Sequence, residues 1–215
     1  KETWAQYGNR MRGWMKTVSP DVFRTARAKF GDAGISVCGY DHSPAPDYSD
    51  EEINRAFQLT KLLEVEYMMT SSHVSMAPRL NTFAVRHRLP VAYHNHSNLV
   101  PDEPTRPEDV ARAIEGNSHI RIVLDIGHFT AAGFDPIPFI EKNHSRIVAL
   151  HLKDRRKNQG PVVPFGEGDT PIREVLRLVE RNNYRMHLLI EYEYPGKNSI
   201  EEIRRCLDYV KTARA

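Results

Sequence analysis

The sequence predicts an α/β protein of the (β/α)8 barrel type, a parallel sheet covered by helices. Three observations predict it. Short runs rich in Val, Ile and Leu are centred near residues 38, 67, 93, 123, 149 and 189, mostly about 26–30 residues apart, the length of one βα unit. Each run is followed by a segment with helical periodicity, as in a sheet buried on both faces. Residues able to bind a metal or move a proton gather at the ends of the runs, where parallel α/β folds build their sites. An open sheet that binds a nucleotide would carry a glycine-rich turn after a strand. Gly166-Glu167-Gly168 follows a loop instead. Six runs are two short of a full barrel.

In chain order, residues 1–18 carry the weakest pattern, although Trp4, Tyr7, Met11, Trp14 and Met15 recur near helical spacing. Ser19-Pro20-Asp21 combines a hydroxyl N-cap, proline at the first helical position and an acid for the dipole, so a helix is expected over Pro20–Phe30. Ile35–Tyr40 reads as a strand, followed by a loop holding Asp41, Pro44, Pro46 and Asp47. Ser49 and Glu52 form a capping box for a helix over Asp50–Leu63. Strands are expected at Val65–Thr70, Pro90–His94, Ile120–Leu124, Ile147–Leu152 and Met186–Tyr192. Helices are expected at residues 76–88, from Thr105 to about Glu115, over Pro136–Asn143, from Pro171 to about Asn182, and over Ile200–Thr212.

The 215 residues, 40% hydrophobic and 27% charged, suit one domain spanning residues 1–215. A formal charge of +2 provides no field for nucleic acid. No apolar run approaches the ~20 residues of a membrane span. Cys38 and Cys206 are too few and too isolated for a disulfide framework and read as buried free thiols. A cytoplasmic location is expected, with a removed presequence left open because the chain starts at Lys1.

Strand side chains alternate between faces, so His94 and His96 point one way, as do His151 and Lys153, and Glu191 and Glu193. Asp125, His151 and Glu191 end three successive strands. Converging, they would give two carboxylates and an imidazole, a set suited to a divalent ion with open positions, Mn2+, Mg2+, Co2+ or Zn2+, and His94 could add a fourth ligand. One histidine at a strand end is usually a structural group; recurrence over four consecutive strands carries the functional reading. Structural roles are expected for His42, His73, His119 and His144, and for Glu193 and Asp154 roles either in supporting the ligand residues or in ion pairs.

The segments VAYHNHSN (91–98), LDIGHF (124–129), VALHLKDR (148–155), PFGEGD (164–169) and LIEYEY (189–194), in this order and spacing, resemble the xylose isomerase-like TIM barrel superfamily. The resemblance is strongest to its sugar phosphate isomerase/epimerase branch and covers about Ser19 to the C-terminus. It implies a divalent metal held by a Glu, an Asp, a His and a Glu at strand ends. The last three fall on Asp125, His151 and Glu191, and His94 stands where the first Glu is expected. It also implies substrate contacts at His128, with a cationic position within Arg155–Lys157; His96 and Arg155 are the other expected substrate-binding residues. Glu191 is the expected catalytic base, with His94, Lys153 or His96 as its partner, unless the chemistry is one-sided as in a β-elimination.

The implied function is metal-dependent isomerisation or epimerisation of a small sugar or keto-sugar through an enediolate. Dehydration of a keto-sugar or keto-inositol is the alternative. A non-catalytic partial barrel that binds sugar or serves as a subunit is a third reading. The resemblance further implies that about one and a half N-terminal βα units are missing. The uncovered edge makes a homo-oligomer expected.

Overall fold

The computed structural model describes residues 3–196 and 198–214, and it is a six-stranded parallel part-barrel with strands in the order β1 to β6. The strands are β1 Gly39–Asp41, β2 Tyr67–Thr70, β3 Val91–His94, β4 Ile120–Asp125, β5 Ile147–Leu152 and β6 His187–Ile190. The helices are α1 Trp4–Thr17, α2 Pro20–Asp32, α3 Asp50–Lys61, α4 Ala77–His87, α5 Pro107–Ile114, α6 Ile126–Ala131, α7 Pro136–Asn143, α8 Ile172–Arg181 and α9 Ser199–Arg214. A short 3-10 turn, Val74–Met76, leads into α4. No helix among the described residues is long and apolar enough to cross a membrane. Both cysteines are free thiols; Cys206 is buried and Cys38 half-buried.

Alternation along the strands sorts the core. Val91 and Tyr93 of β3 pack into one helix-facing cluster, and Ile122, Leu124, Leu150 and Leu152 into a second. Their neighbours Tyr67, Ala92, Val123 and Ala149 form a thin inner cluster on the other face. The inner side chains are mostly small because the strands converge there and leave little room. The same parity carries His94, Asp125, His151 and Lys153 to the inner face. A register shift between Ile122 and Val123, paired with Ile147 and Ala149, brings Asp125 level with His151.

Three local differences from the sequence expectation matter. β1 starts and ends later than Ile35–Tyr40, since only Gly39–Asp41 pairs with Tyr67–Met69; Asp41 therefore ends a strand rather than opening a loop. Trp4–Thr17, weakly patterned in sequence, form α1, with a capping box between its N-cap Thr3 and Gln6. Met15 is buried, its sulfur lies 3.8 Å from the Tyr40 hydroxyl, and Trp14 packs on Phe23 with ring centroids 5.9 Å apart. The side chain of Trp4 and the start of the chain at Lys1 lie outside the described residues. Helix α6 was not expected; Asp125 is its N-cap, its Oδ1 accepting from the His128 N–H at 2.7 Å.

Helix α1 is pinned at its C-terminal half. Arg12 forks onto Glu52 at 2.6 and 2.8 Å and reaches Asp47 at 2.7 Å, with its guanidinium 4.2 Å from the Tyr48 ring centroid. Arg55 donates to the carbonyls of Met15 and Val18 at 2.7 Å each. The N-terminal half of α1 reaches the mouth of the sheet, where Tyr7, Gly8 and Met11 form part of a cavity wall.

Candidate active site

The strand ends converge. One ligand atom each from His94, Asp125, His151 and Glu191 lies within 4.8 Å of the others. Ring centroids of His94 and His151 are 4.8 Å apart, those of His94 and His96 5.0 Å, and those of His96 and His128 5.4 Å. His94, His151 and Glu191 of the cluster line an open cavity of about 630 Å³, together with His96 and Glu193 and, from β1 and its loop, Tyr40, Asp41 and His42; Asp125 lies buried behind them. His42, expected to be structural, belongs to this wall; burial lowers its pKa to about 4 and keeps it neutral.

Asp125 is held by its neighbours. Asn95 locks the ends of β3 and β4 together, its Oδ1 accepting from the Asp125 N–H at 2.8 Å and its Nδ2 donating to the Asp125 carbonyl at 3.1 Å. Burial alone would raise the Asp125 carboxyl; His94, His128 and Lys153 outweigh it and hold the group well below the ordinary carboxylate range. Two buried atoms here, His94 Nε2 and Asp125 Oδ2, have no aligned hydrogen bond. Lys153 Nζ comes within 3.1 Å of Asp125 Oδ2 without being aimed at it. Orphaned donor and acceptor atoms of this kind are costly unless a further group satisfies them, so the four residues fit a bound metal ion.

Lys153 is fully buried among charges. Its ammonium lies 3.0 Å from Glu191 Oε1, 2.7 Å from Glu193 Oε2 and 2.9 Å from His128 Nε2. Burial works against its charge, but Asp125, Glu191 and Glu193 raise its pKa above the ordinary value. Arg155 sits behind His128, Nη1 contacting His128 Nδ1 and Ser97 Oγ at 2.8 Å each, its other nitrogens donating to the Gly160 carbonyl. A ring with a cation at each nitrogen cannot take up a proton easily, and burial lowers the His128 pKa to about 4. His151 Nδ1 is 2.7 Å from Glu191 Oε2. That bond and Lys153 overcome the burial of Glu191 and leave its pKa lowered.

The expected site residues thus fall into two layers. His94, His96, His151 and Glu191 face the cavity. Asp125 and Lys153 lie fully buried, and His128 and Arg155 form the contacts next to them. Glu193, expected in an ion pair, pairs with Lys153. Asp154 closes the PFGEGD loop: its Oδ2 accepts from Gly166 and Gly168 at 2.8 and 3.0 Å, its Oδ1 from Thr170 at 3.2 Å. A Cβ on Gly168 would lie 1.9 Å from Asp154 Oδ1. Gly168→Ala is expected to cost about 1–3 kcal/mol, read as a lower thermal midpoint. Gly13→Ala in α1, where nothing lies within 4 Å, is the control and should not fall; equal midpoints for the two variants would show that the loop moves aside freely.

Parallel strands whose C-terminal ends bring imidazoles and carboxylates into one cavity define a (β/α) barrel with its functional face on that side. The chain belongs to the xylose isomerase-like TIM barrel family, whose model matches residues 15–212. It is 26% identical over 169 residues to an inosose dehydratase of Mesomycoplasma hyopneumoniae, a match covering 68% of this chain and 56% of that protein. The chain therefore spans about half the length of the curated relatives it matches. Among solved structures it resembles a xylose isomerase domain protein from Planctomyces limnophilus, with TM-score 0.73, 18% identity, and 91% of this chain and 84% of that chain covered. It also resembles 3-keto-D-glucoside 4-epimerase from E. coli, with TM-score 0.72, 13% identity and coverages of 90% and 85%. At these identities the structural likenesses establish the fold.

Proposed function

We propose that this chain is a divalent-metal-dependent isomerase or epimerase that moves a proton next to the carbonyl of a small keto-sugar. The observation that carries this reading is the cluster of His94, Asp125, His151 and Glu191, with ligand atoms within 4.8 Å of one another beside an open cavity. Two imidazoles and two carboxylates suit Mn2+, Co2+ or Zn2+ better than Mg2+, which prefers oxygen ligands. A bound ion would supply Lewis-acid polarisation of the substrate carbonyl and its neighbouring hydroxyl.

The chain's own groups do the rest. Glu191 is the base: its lowered pKa keeps it ionised at neutral pH, and His151 and Lys153 fix its two oxygens. Lys153 and His94 are the other groups proposed to carry protons. His96, kept neutral by burial, offers a hydrogen bond to a hydroxyl. His128 does the same from deeper in the site, and Arg155 acts through it. Among the described residues no lysine or arginine lines the cavity, whereas Asp41, Glu191 and Glu193 do. That lining favours an uncharged keto-sugar over a phosphate ester.

Dehydration of a keto-inositol is the second reading. It is supported by His94 in place of a paired glutamate, which suits one-sided proton removal, and by the name of the curated relatives.

Elemental analysis of protein purified without added metal, repeated on Asp125→Ala, tests the centre. Near-stoichiometric Mn, Co or Zn in the parent and its loss in the variant is the expected result. A parent that takes up none after reconstitution would overturn the metal-dependent reading and favour a non-catalytic partial barrel. With metal established, ketoses and an inosose are offered in turn; an epimer or a dehydrated product decides between the two readings.

A further inference from the structure

Of the groups named beside Glu191 for proton transfer, Lys153 is buried among three carboxylates and His94 belongs to the metal-competent cluster, so the opposite face of the substrate still needs a proton donor. Epimerisation needs one group to take a proton from carbon and a second to return one from the other face. The residue standing where a second glutamate is expected is His94. Among the cavity-lining carboxylates, Glu193 is held by Lys153 at 2.7 Å. The remaining one is Asp41.

Asp41 ends β1, one edge of the sheet, and Glu191 follows β6, the other edge. The two carboxyl groups therefore enter the same cavity from opposite ends of the sheet. Asp41 is open to the cavity. Among the described residues no lysine or arginine forms an ion pair with it. Met69 is its neighbour across β2.

We propose that Asp41 is the second proton-transfer group of this site, delivering a proton to the face of the enediolate opposite Glu191. The inference rests on the enediolate reading above. Glu191 takes the proton from the carbon next to the carbonyl, and the C–H electron pair becomes the carbon–carbon π bond as the carbonyl π pair moves onto oxygen. The oxygen then re-forms the carbonyl while the carbon takes the proton of the Asp41 carboxyl on its other face. Glu191 ends protonated and Asp41 ionised; both return to their starting states by exchange with solvent in the open cavity. No further reactant is needed. Desolvation in the cavity wall raises the Asp41 pKa, opposed by His94 and His151.

The test is solvent exchange against net turnover. Parent, Asp41→Asn, Asp41→Glu and Glu191→Gln proteins, loaded with metal, are incubated in D2O with D-tagatose, D-fructose and an inosose in turn. Recovered substrate is assayed by NMR for deuterium next to the carbonyl, and product is assayed for the epimer. Asp41→Asn is expected to lose epimer formation by roughly 10²-fold or more while deuterium still enters the recovered substrate. Glu191→Gln is expected to lose both, and Asp41→Glu to regain part of the turnover. Metal content and thermal midpoint equal to the parent's establish that Asp41→Asn is folded. Epimer formation within threefold of the parent, or loss of exchange and epimer together in the folded variant, would overturn the role of Asp41. A parent that exchanges none of the three compounds overturns the enediolate reading itself, a different result from either.

Discussion

Glu191→Gln is expected to reduce turnover by about 10²–10⁴-fold, the usual contribution of a positioned general base. The amide keeps the shape of the carboxylate and removes its basicity. One oxygen remains to contact the cluster, so metal content should fall far less than in Asp125→Ala. His151 Nδ1 and Lys153 Nζ, now 2.7 and 3.0 Å from the Glu191 oxygens, would face a neutral side chain, and some loss of stability is expected as well. Single-turnover kinetics on metal-loaded protein check the effect. A Gln variant as active as the parent would remove Glu191 from the chemistry and leave it a structural partner of Lys153.

The second large effect is expected from Lys153→Met. Methionine fills much the same volume but leaves Asp125, fully buried like Lys153, without its nearest cation. Stripping one partner from a buried ion pair costs about 3–5 kcal/mol. A divalent ion on the cluster would return positive charge to the same carboxylates, and a ligand that binds only the folded state stabilises it. The variant should therefore be strongly destabilised in EDTA and recover part of the loss in excess Mn2+. Urea unfolding in both conditions measures this. A loss below about 1 kcal/mol in EDTA would mean that Asp125 takes up a proton or water reaches it, and that Lys153 is not its essential counter-charge.

Much of the site was legible in the sequence because strand parity is a rigid rule. His94 and His96, His151 and Lys153, and Glu191 and Glu193 were assigned to shared faces from spacing alone, and the fold places them accordingly. The βα spacing made the six-stranded part-barrel legible in the same way. What escaped depended on contacts between distant residues. The capping of α6 by Asp125 was hidden because IGHFTA is too short to show a helical period. Asp41 was read as loop because β1 is three residues long and its limits are set by pairing with β2, not by its own composition. The brackets around Lys153 come from Asp125, Glu191 and Glu193, two of them just beyond the end of β6, about forty residues away. Nothing in the sequence marked Asn95, which ties β3 to β4 through the Asp125 backbone.

The ordering of strands has a consequence for how such a site comes into being. Parallel neighbours are joined only through long crossovers, so every pairing in this sheet is non-local and slow to form. The proposed ligands are spread along the chain from His94 on β3 to Glu191 beyond β6. During synthesis, a chain that has emerged as far as α8 already carries three of them, yet the fourth arrives only when β6 docks against β5. Metal uptake would then mark completion rather than assist the early steps, and the ion would act as a seal on a finished sheet.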